Sequence, residues 1–141
     1  MKKIIIWIII IALGTALAGY IYLKATAAHK DPLKADLVKI QATELYRMFE
    51  NFEDSANKLY TDGKREKAIA VVGVIKDIAQ KDNRYTISLE AGSEMGAVIC
   101  EMDTVENALV KNFKTGETKE IVGYCNGYLI DVQMFRCKLA K

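Results

Sequence analysis

Histidine and proline each occur once in this chain, as His29 and Pro32, and cysteine three times, as Cys100, Cys125 and Cys137. A single histidine in a polar stretch leaves no Ser/His or Cys/His pair for nucleophilic catalysis within a folded domain. Three cysteines without a CxxC, and a single histidine in a polar linker, lack the close ligand pairing of a four-ligand zinc site, so no metal is expected. No phosphate-cradling loop, no GxGxxG, no HExxH and no GxSxG is present, so no cofactor is expected and the chain is not read as an enzyme. An excess of one charge is also missing. Lys+Arg number 20 against 18 Asp+Glu; with Lys2 and Lys3 set aside, the remainder from Lys24 onward is 18 against 18. Nucleic-acid binding draws much of its affinity from neutralised phosphates, so this balance argues against a nucleic-acid partner.

What the chain does have is a long apolar start. Met1-Lys2-Lys3 precedes Ile4–Leu23, a stretch without a charge that Lys24 closes. As a helix this run is roughly 30 Å long, the thickness of a bilayer's hydrocarbon core. Two readings compete. A cleaved signal peptide has its basic start in Lys2 and Lys3 and a small-residue site in Ala16-Leu17-Ala18. The run continues through Gly19-Tyr20-Ile21-Tyr22-Leu23, however, and Trp7, Tyr20 and Tyr22 suit interfacial belts, which favours an uncleaved anchor over residues 1–24. The short basic tail favours the N-terminus inside and the domain outside. Residues 25–40, polar and holding Pro32, read as a linker.

Beyond it, 41–141 has room for one domain with one core. Gln41–Tyr60 is expected to be helical, with Leu45, Met48, Phe49, Phe52, Ala56, Leu59 and Tyr60 as the core face, Gln41 or Thr43 as the cap, and a break at Asn51. An aromatic and Met stripe at this spacing is more often core than a recognition surface. From Ala68 the period becomes that of strands. Ile69–Ile78 is a β-branched run interrupted by Gly73; Arg84–Glu90 alternates strictly; Ala97–Met102 is a third strand. Thr104–Asn112 reads as a short helix packing Val105 and Leu109. Glu117–Cys125 and Tyr128–Leu139 follow as strands about an Asn126-Gly127 hairpin turn. That hairpin leaves Cys137 about nine residues out of register with Cys125, so three reduced thiols are favoured over a 125–137 bridge.

The expected class is therefore β-rich (α+β): a transmembrane helix, a linker, a short helical segment and a five-stranded OB-fold barrel with a helix between its third and fourth strands. Gly73 fits the sharp bend of the first strand in such a barrel. The residues resemble the tRNA_anti-like OB-fold family, mostly small bacterial membrane-anchored or exported proteins of unknown role. The resemblance is carried by Glu44-Leu45, Phe49, Ala56-Asn57, Tyr60, Val71, Gly73 and Ile75, then by Glu94-Met95-Gly96, Val98, Cys100, Gly116, Gly123, Cys125, Gly127, Asp131-Val132 and Cys137. The chain departs from it in a longer 61–67 segment and in Lys119, where an apolar strand residue is expected. The resemblance implies a bacterial membrane-anchored or exported protein. With the single apolar run and the basic tail, which outweighs Lys24, Lys30, Lys34 and Lys39 beyond the run, the expected place is the bacterial inner membrane, single-pass, with the domain on the periplasmic side. The resemblance carries no functional residue over.

OB-folds bind ligands on the open face of strands two and three and the adjoining loops. If Tyr85, Ile87, Leu89, Val98, Cys100 and Met102 fill the barrel, the outward set is Arg84, Thr86, Ser88, Glu90, Ala97, Ile99 and Glu101. Arg84, Thr86, Ser88, Glu90, Ile99 and Glu101, with Tyr128 as a stacking platform, form the candidate ligand site. Single-strand recognition needs exposed aromatics beside a cationic groove, and this set has one Arg and two Glu. A non-catalytic, membrane-anchored binding module for a protein, peptide or small envelope ligand is the leading expectation; single-stranded RNA or DNA is the alternative. Glu90, Glu94, Glu101 and Asp103 resemble a carboxylate cluster but are equally solvated hairpin charges.

Overall fold

The computed structural model describes residues 37–61 and 67–140. The apolar run over 4–23, and with it the expected transmembrane helix and most of the linker, lies outside the described residues. Among the described residues no helix is long and apolar enough to cross a membrane.

The elements are β1 (Val38–Gln41), α1 (Ala42–Ala56) ending in a π-turn (Asn57–Thr61), β2 (Ala68–Lys81), β3 (Arg84–Glu90) and β4 (Ala97–Met102). A 3-10 turn (Thr104–Glu106) then leads into α2 (Asn107–Val110), β5 (Thr118–Tyr128) and β6 (Val132–Leu139). The strand order is β1-β2-β3-β4-β6-β5, and β2 also pairs with β5. The five strands β2 to β6 thus close a barrel in the OB order, with α2 between its third and fourth strands.

Gly73 sits where β2 changes partners. Ala68–Val74 pairs with β5, and from Ile75 onward the strand pairs with β3, with a bulge between Ile75 and Asp77. The glycine is also needed for close approach. A Cβ there would lie 2.8 Å from the Cβ of Ala42 and 3.1 Å from that of Leu89. The core comprises, among others, Leu45, Phe49, Ile69, Val71, Ile75, Ile87, Leu89, Val98, Cys100, Met102 and Ile121.

Strand alternation decides the two ends of the barrel. At one end lie the start of β2, the β3–β4 loop and the β5–β6 loop. Asp131 of the last accepts a hydrogen bond from the Ala97 N–H at 2.8 Å. At the other end lie the β2–β3 turn and α2, joined by the Asn107 amide donating to the Asn83 carbonyl at 2.8 Å. That turn uses Asp82 (φ 48°) and Asn83 (φ 63°), the positive-φ pair that a two-residue hairpin needs.

The structure corrects several expectations. The linker stops before residue 38, because β1 pairs in parallel with Ile69–Val72 of β2 and buries Ile40. Val38 and Ile40 alternate with Lys39 and Gln41, but four residues are too short a run to fix a strand by period, and the sheet edge of β2 decides it. The helix breaks at Phe52 (φ −141°, ψ 50°) rather than at Asn51, and Gln41 holds the cap position without a side-chain bond. Phe52 and Leu59 then face outward at 62% and 53% exposure, while Tyr46 enters the core in their place. The 104–112 helix is split. Asp103 caps it by accepting from the Val105 N–H at 3.3 Å, and Val110 is the buried residue while Val105 and Leu109 are exposed.

Asn126-Gly127 does not turn the chain. β5 runs on to Tyr128 with a bulge between Cys125 and Gly127, and the reversal falls at Leu129–Asp131. Gly127, at φ +116°, serves the bulge. Lys119 keeps its place in β5 by lying 4.3 Å over the Phe113 ring and pairing with Glu117 at 3.1 Å. In β6 the register shifts between the Cys100–Met134 and Met102–Cys137 pairs, where Arg136 takes φ 51°, so Met134 and Cys137 both point inward. All three cysteines are free thiols and buried.

Candidate functional site

The outer face of β3 and β4 is assembled by register. Thr86 lies opposite Glu101, Ser88 opposite Ile99 and Glu90 opposite Ala97, while Ile87 and Leu89 pair inward with Cys100 and Val98. β2 adds Asp77 beside Ser88 and Ala79 beside Thr86, and β6 adds Gln133 beside Ile99. Thr86, Ser88, Ile99 and Glu101 are half-buried, Arg84 and Glu90 are exposed, and Ala97 is buried. The result is a shallow polar strip with one aliphatic side chain at its centre.

Its electrostatics are closed on themselves. Arg84 forms a salt bridge with Glu101 across the strands. This pair is solvent-exposed and contributes about 0–1 kcal/mol to stability, but it neutralises the cation of the face. Glu90 and Glu101 stand at opposite ends of the β3–β4 ladder, so the suspected carboxylate cluster does not gather. Among the described residues no three His, Cys, Asp or Glu side chains are placed to hold a metal ion.

Tyr128 is not part of this face. It stands at the capped end of the barrel, with its ring stacked at 6.1 Å on Phe49 and edge-on at 5.7 Å to Tyr46. Tyr60 completes the group at 6.2 Å from Phe49. A hydrogen bond with Tyr46 is the first cause, burial the second and the nearby Tyr46, Glu50 and Glu53 the third, that push the Tyr128 phenol up to about 12. One face of the ring stacks on Phe49, while the residue as a whole stays half-buried. Sequence spacing could not show this, because Tyr46, Phe49 and Tyr128 meet only when α1 plugs the barrel end.

That plug creates a feature the sequence reading missed. α1 and the β3–β4 loop border an open cleft of about 490 Å³, lined by Thr43, Glu44, Tyr46, Arg47, Glu50, Gly92 and Ser93 among others. Gly92 (φ +74°) lies against Thr43, and Gly96 lets the Tyr46 ring lie flat on the backbone. The two glycines are the only sequence signal of this close approach.

Burial, offset in part by a hydrogen bond from the Gly127 backbone and reinforced by Cys100, pushes the Cys125 thiol up to about 11. Cys137 is raised for the same first reason, and by a hydrogen bond with Cys100. These thiols are protonated and inert under ordinary conditions.

The family described as tRNA_anti-like matches residues 1–139. The chain belongs to the tRNA_anti-like family. Among solved structures it is similar to a lipoprotein from Klebsiella pneumoniae to which nucleic-acid binding is ascribed. The identity is 17%, over 73% of this chain and 92% of that one, with a TM-score of 0.57. It is more distantly similar to the yeast Stn1 and Ten1 structure, at 16% identity over 77% of this chain and 64% of that one, with a TM-score of 0.43. A replication protein A heterotrimer bound to ssDNA matches at 12% identity over 57% of this chain and 62% of that one, with a TM-score of 0.39. No curated protein matches the chain in sequence. At these identities the likeness establishes the fold of this tRNA_anti-like protein, the OB barrel, and no ligand.

Proposed function

We propose that this tRNA_anti-like protein is a non-catalytic OB-fold binding module, held at a membrane by Ile4–Leu23, whose ligand lies across the β3–β4 face. The observation that carries the ligand class is the face itself: its one arginine is paired with Glu101, and no aromatic side chain stands among its outward residues. Thr86, Ser88 and Gln133 offer hydrogen bonds around Ile99, a surface suited to a protein or peptide contact with a small apolar centre. The membrane reading rests on the length of the apolar run, and the short basic start supports the periplasmic side against Lys24, Lys30, Lys34 and Lys39 beyond the span.

A second reading is single-stranded nucleic acid. The comparisons support it better than they support a protein partner, since the Klebsiella pneumoniae lipoprotein is described by that activity. The sequence-level expectation against nucleic acid is therefore too strong. The surface chemistry still opposes tight binding, because stacking platforms and unpaired cations are what such binding uses.

A benzophenone side chain introduced at Ile99 in the full chain, irradiated in native membranes, separates the readings. A nuclease-resistant, protease-sensitive adduct supports the protein reading. A nuclease-sensitive adduct promotes the second.

A further inference from the structure

Exposed large apolar side chains stand at both ends of the barrel: Val105 and Leu109 at α2, and the most exposed ones at the other end. Leu129 and Ile130, at 86% and 63% exposure, form the tip of the β5–β6 loop, and Met95, at 84%, projects from the β3–β4 loop. The Asp131–Ala97 hydrogen bond holds those two loops together. Phe52, at 62%, lies on α1, the helix that plugs this same end through Tyr46 and Phe49.

The chain enters the domain at this end too. β1 runs parallel to β2 from Val38 opposite Ile69, so its first residue stands at the start of β2, at this end of the barrel. About fourteen residues separate Leu23 from Val38, a reach of at most about 50 Å when extended. A chain anchored through Ile4–Leu23 thus enters the domain at the end that carries the apolar loops.

We propose that this end of the barrel rests on the lipid bilayer, with Leu129, Ile130 and Met95 dipping into its interfacial region. The proposal rests on the membrane-anchor reading above. The β5–β6 tip is suited to lipid rather than to headgroup charge: its only ionisable side chain, Asp131, has an oxygen engaged by the Ala97 N–H, and no lysine or arginine occurs between Gly127 and Phe135. The charges nearest Met95 are the exposed Glu94 and Lys76, which donates to the Glu94 carbonyl at 3.4 Å. Insertion is apolar and is helped by the tether, which keeps the tip at high local concentration over the surface. Docked this way, the β3–β4 face stands beside the membrane, its far end turned to the solvent.

The test uses the full chain in phosphatidylcholine vesicles carrying brominated acyl chains, which quench tryptophan on contact. Wild type reports the anchor through its single tryptophan, Trp7. Trp7→Phe with Leu129→Trp reports the tip, and Trp7→Phe with Lys81→Trp reports the opposite end. Quenching of the tip variant by about twofold or more, none at the opposite end, and the same result with anionic lipid added are expected. Adding Ile130→Asp to the tip variant is expected to abolish the quenching; persistence would mean that the introduced ring alone is drawn in, and overturns the proposal. Quenched Trp7 with an unquenched tip overturns the proposal and leaves the anchor standing. A tip shielded from aqueous acrylamide yet untouched by bromolipid shows that a protein or a second copy covers it, and overturns the proposal as well. Unquenched Trp7 refutes the anchor, and the proposal with it.

Discussion

Gly96→Ala is the sharpest perturbation of the plugged end. An added Cβ would lie 2.1 Å from the Tyr46 hydroxyl oxygen and 2.3 Å from two of its ring carbons. Ordinary carbon contacts begin near 3.4 Å, so the ring must retreat by more than 1 Å. Its retreat is restricted: Tyr46 is 4% exposed and packs edge-on against Tyr128, and open space borders it only on the side of the cleft. Overpacking of this kind costs about 1–3 kcal/mol, and losing the Tyr46–Tyr128 hydrogen bond adds about 1. A total near 3 kcal/mol lowers the melting temperature of a domain this size by about 12–24 °C. The measurement is a thermal melt of the segment from Lys34 to Lys141, which the contiguous core predicts to fold alone. The double variant with Tyr46→Ala is the control. Tyr46→Ala costs about 3–5 kcal/mol by itself, and adding Gly96→Ala to it should cost almost nothing more, since the clashing ring is gone. A Gly96→Ala melting temperature within about 4 °C of wild type, or additive losses in the double variant, would refute the packing argument.

Gly73→Val should destabilise the same segment by a few kcal/mol, because a Cβ there meets the Ala42 Cβ at 2.8 Å; equal melting temperatures would contradict this. Thiol titration should find no fast-reacting cysteine in the native protein and three after unfolding, since all three are buried and free. The raised Cys125 thiol makes stability pH-dependent: the folded state holds this proton more tightly than the unfolded one, so the contribution is intact below pH 9 and is lost between 9 and about 11. Denaturant melts across that window should show a decline, and a flat profile would count against the burial of Cys125. Oligonucleotide anisotropy at about 150 mM salt should show weak binding or none. If the second functional reading holds, Glu101→Gln should strengthen that binding by releasing Arg84. Submicromolar affinity in wild type would make nucleic acid the leading ligand.

The strand at 84–90 was legible to the residue because strict alternation has one interpretation, and 97–102 because a turn bounds a short apolar run. The barrel order followed from counting strands on either side of one helical break. The outward set on those strands was legible from the same period, except for Ala97, which the fold buries. Pairing with a distant partner decided the rest. Val38–Gln41 is a strand only because β2 presents an unpaired edge, and β5 runs through Asn126-Gly127 because β6 offers continued pairing to Tyr128. The sequence by itself determined the spanning-length apolar run, the neutral charge balance and the periods of helix and strand, all of them local quantities summed over neighbours. Only the tertiary structure decided that Arg84 is neutralised by Glu101 and that Tyr128 packs against Tyr46 and Phe49. It alone gathered the exposed apolar side chains of two loops at the end where the chain enters, because residues far apart in sequence are brought together only by closing the barrel.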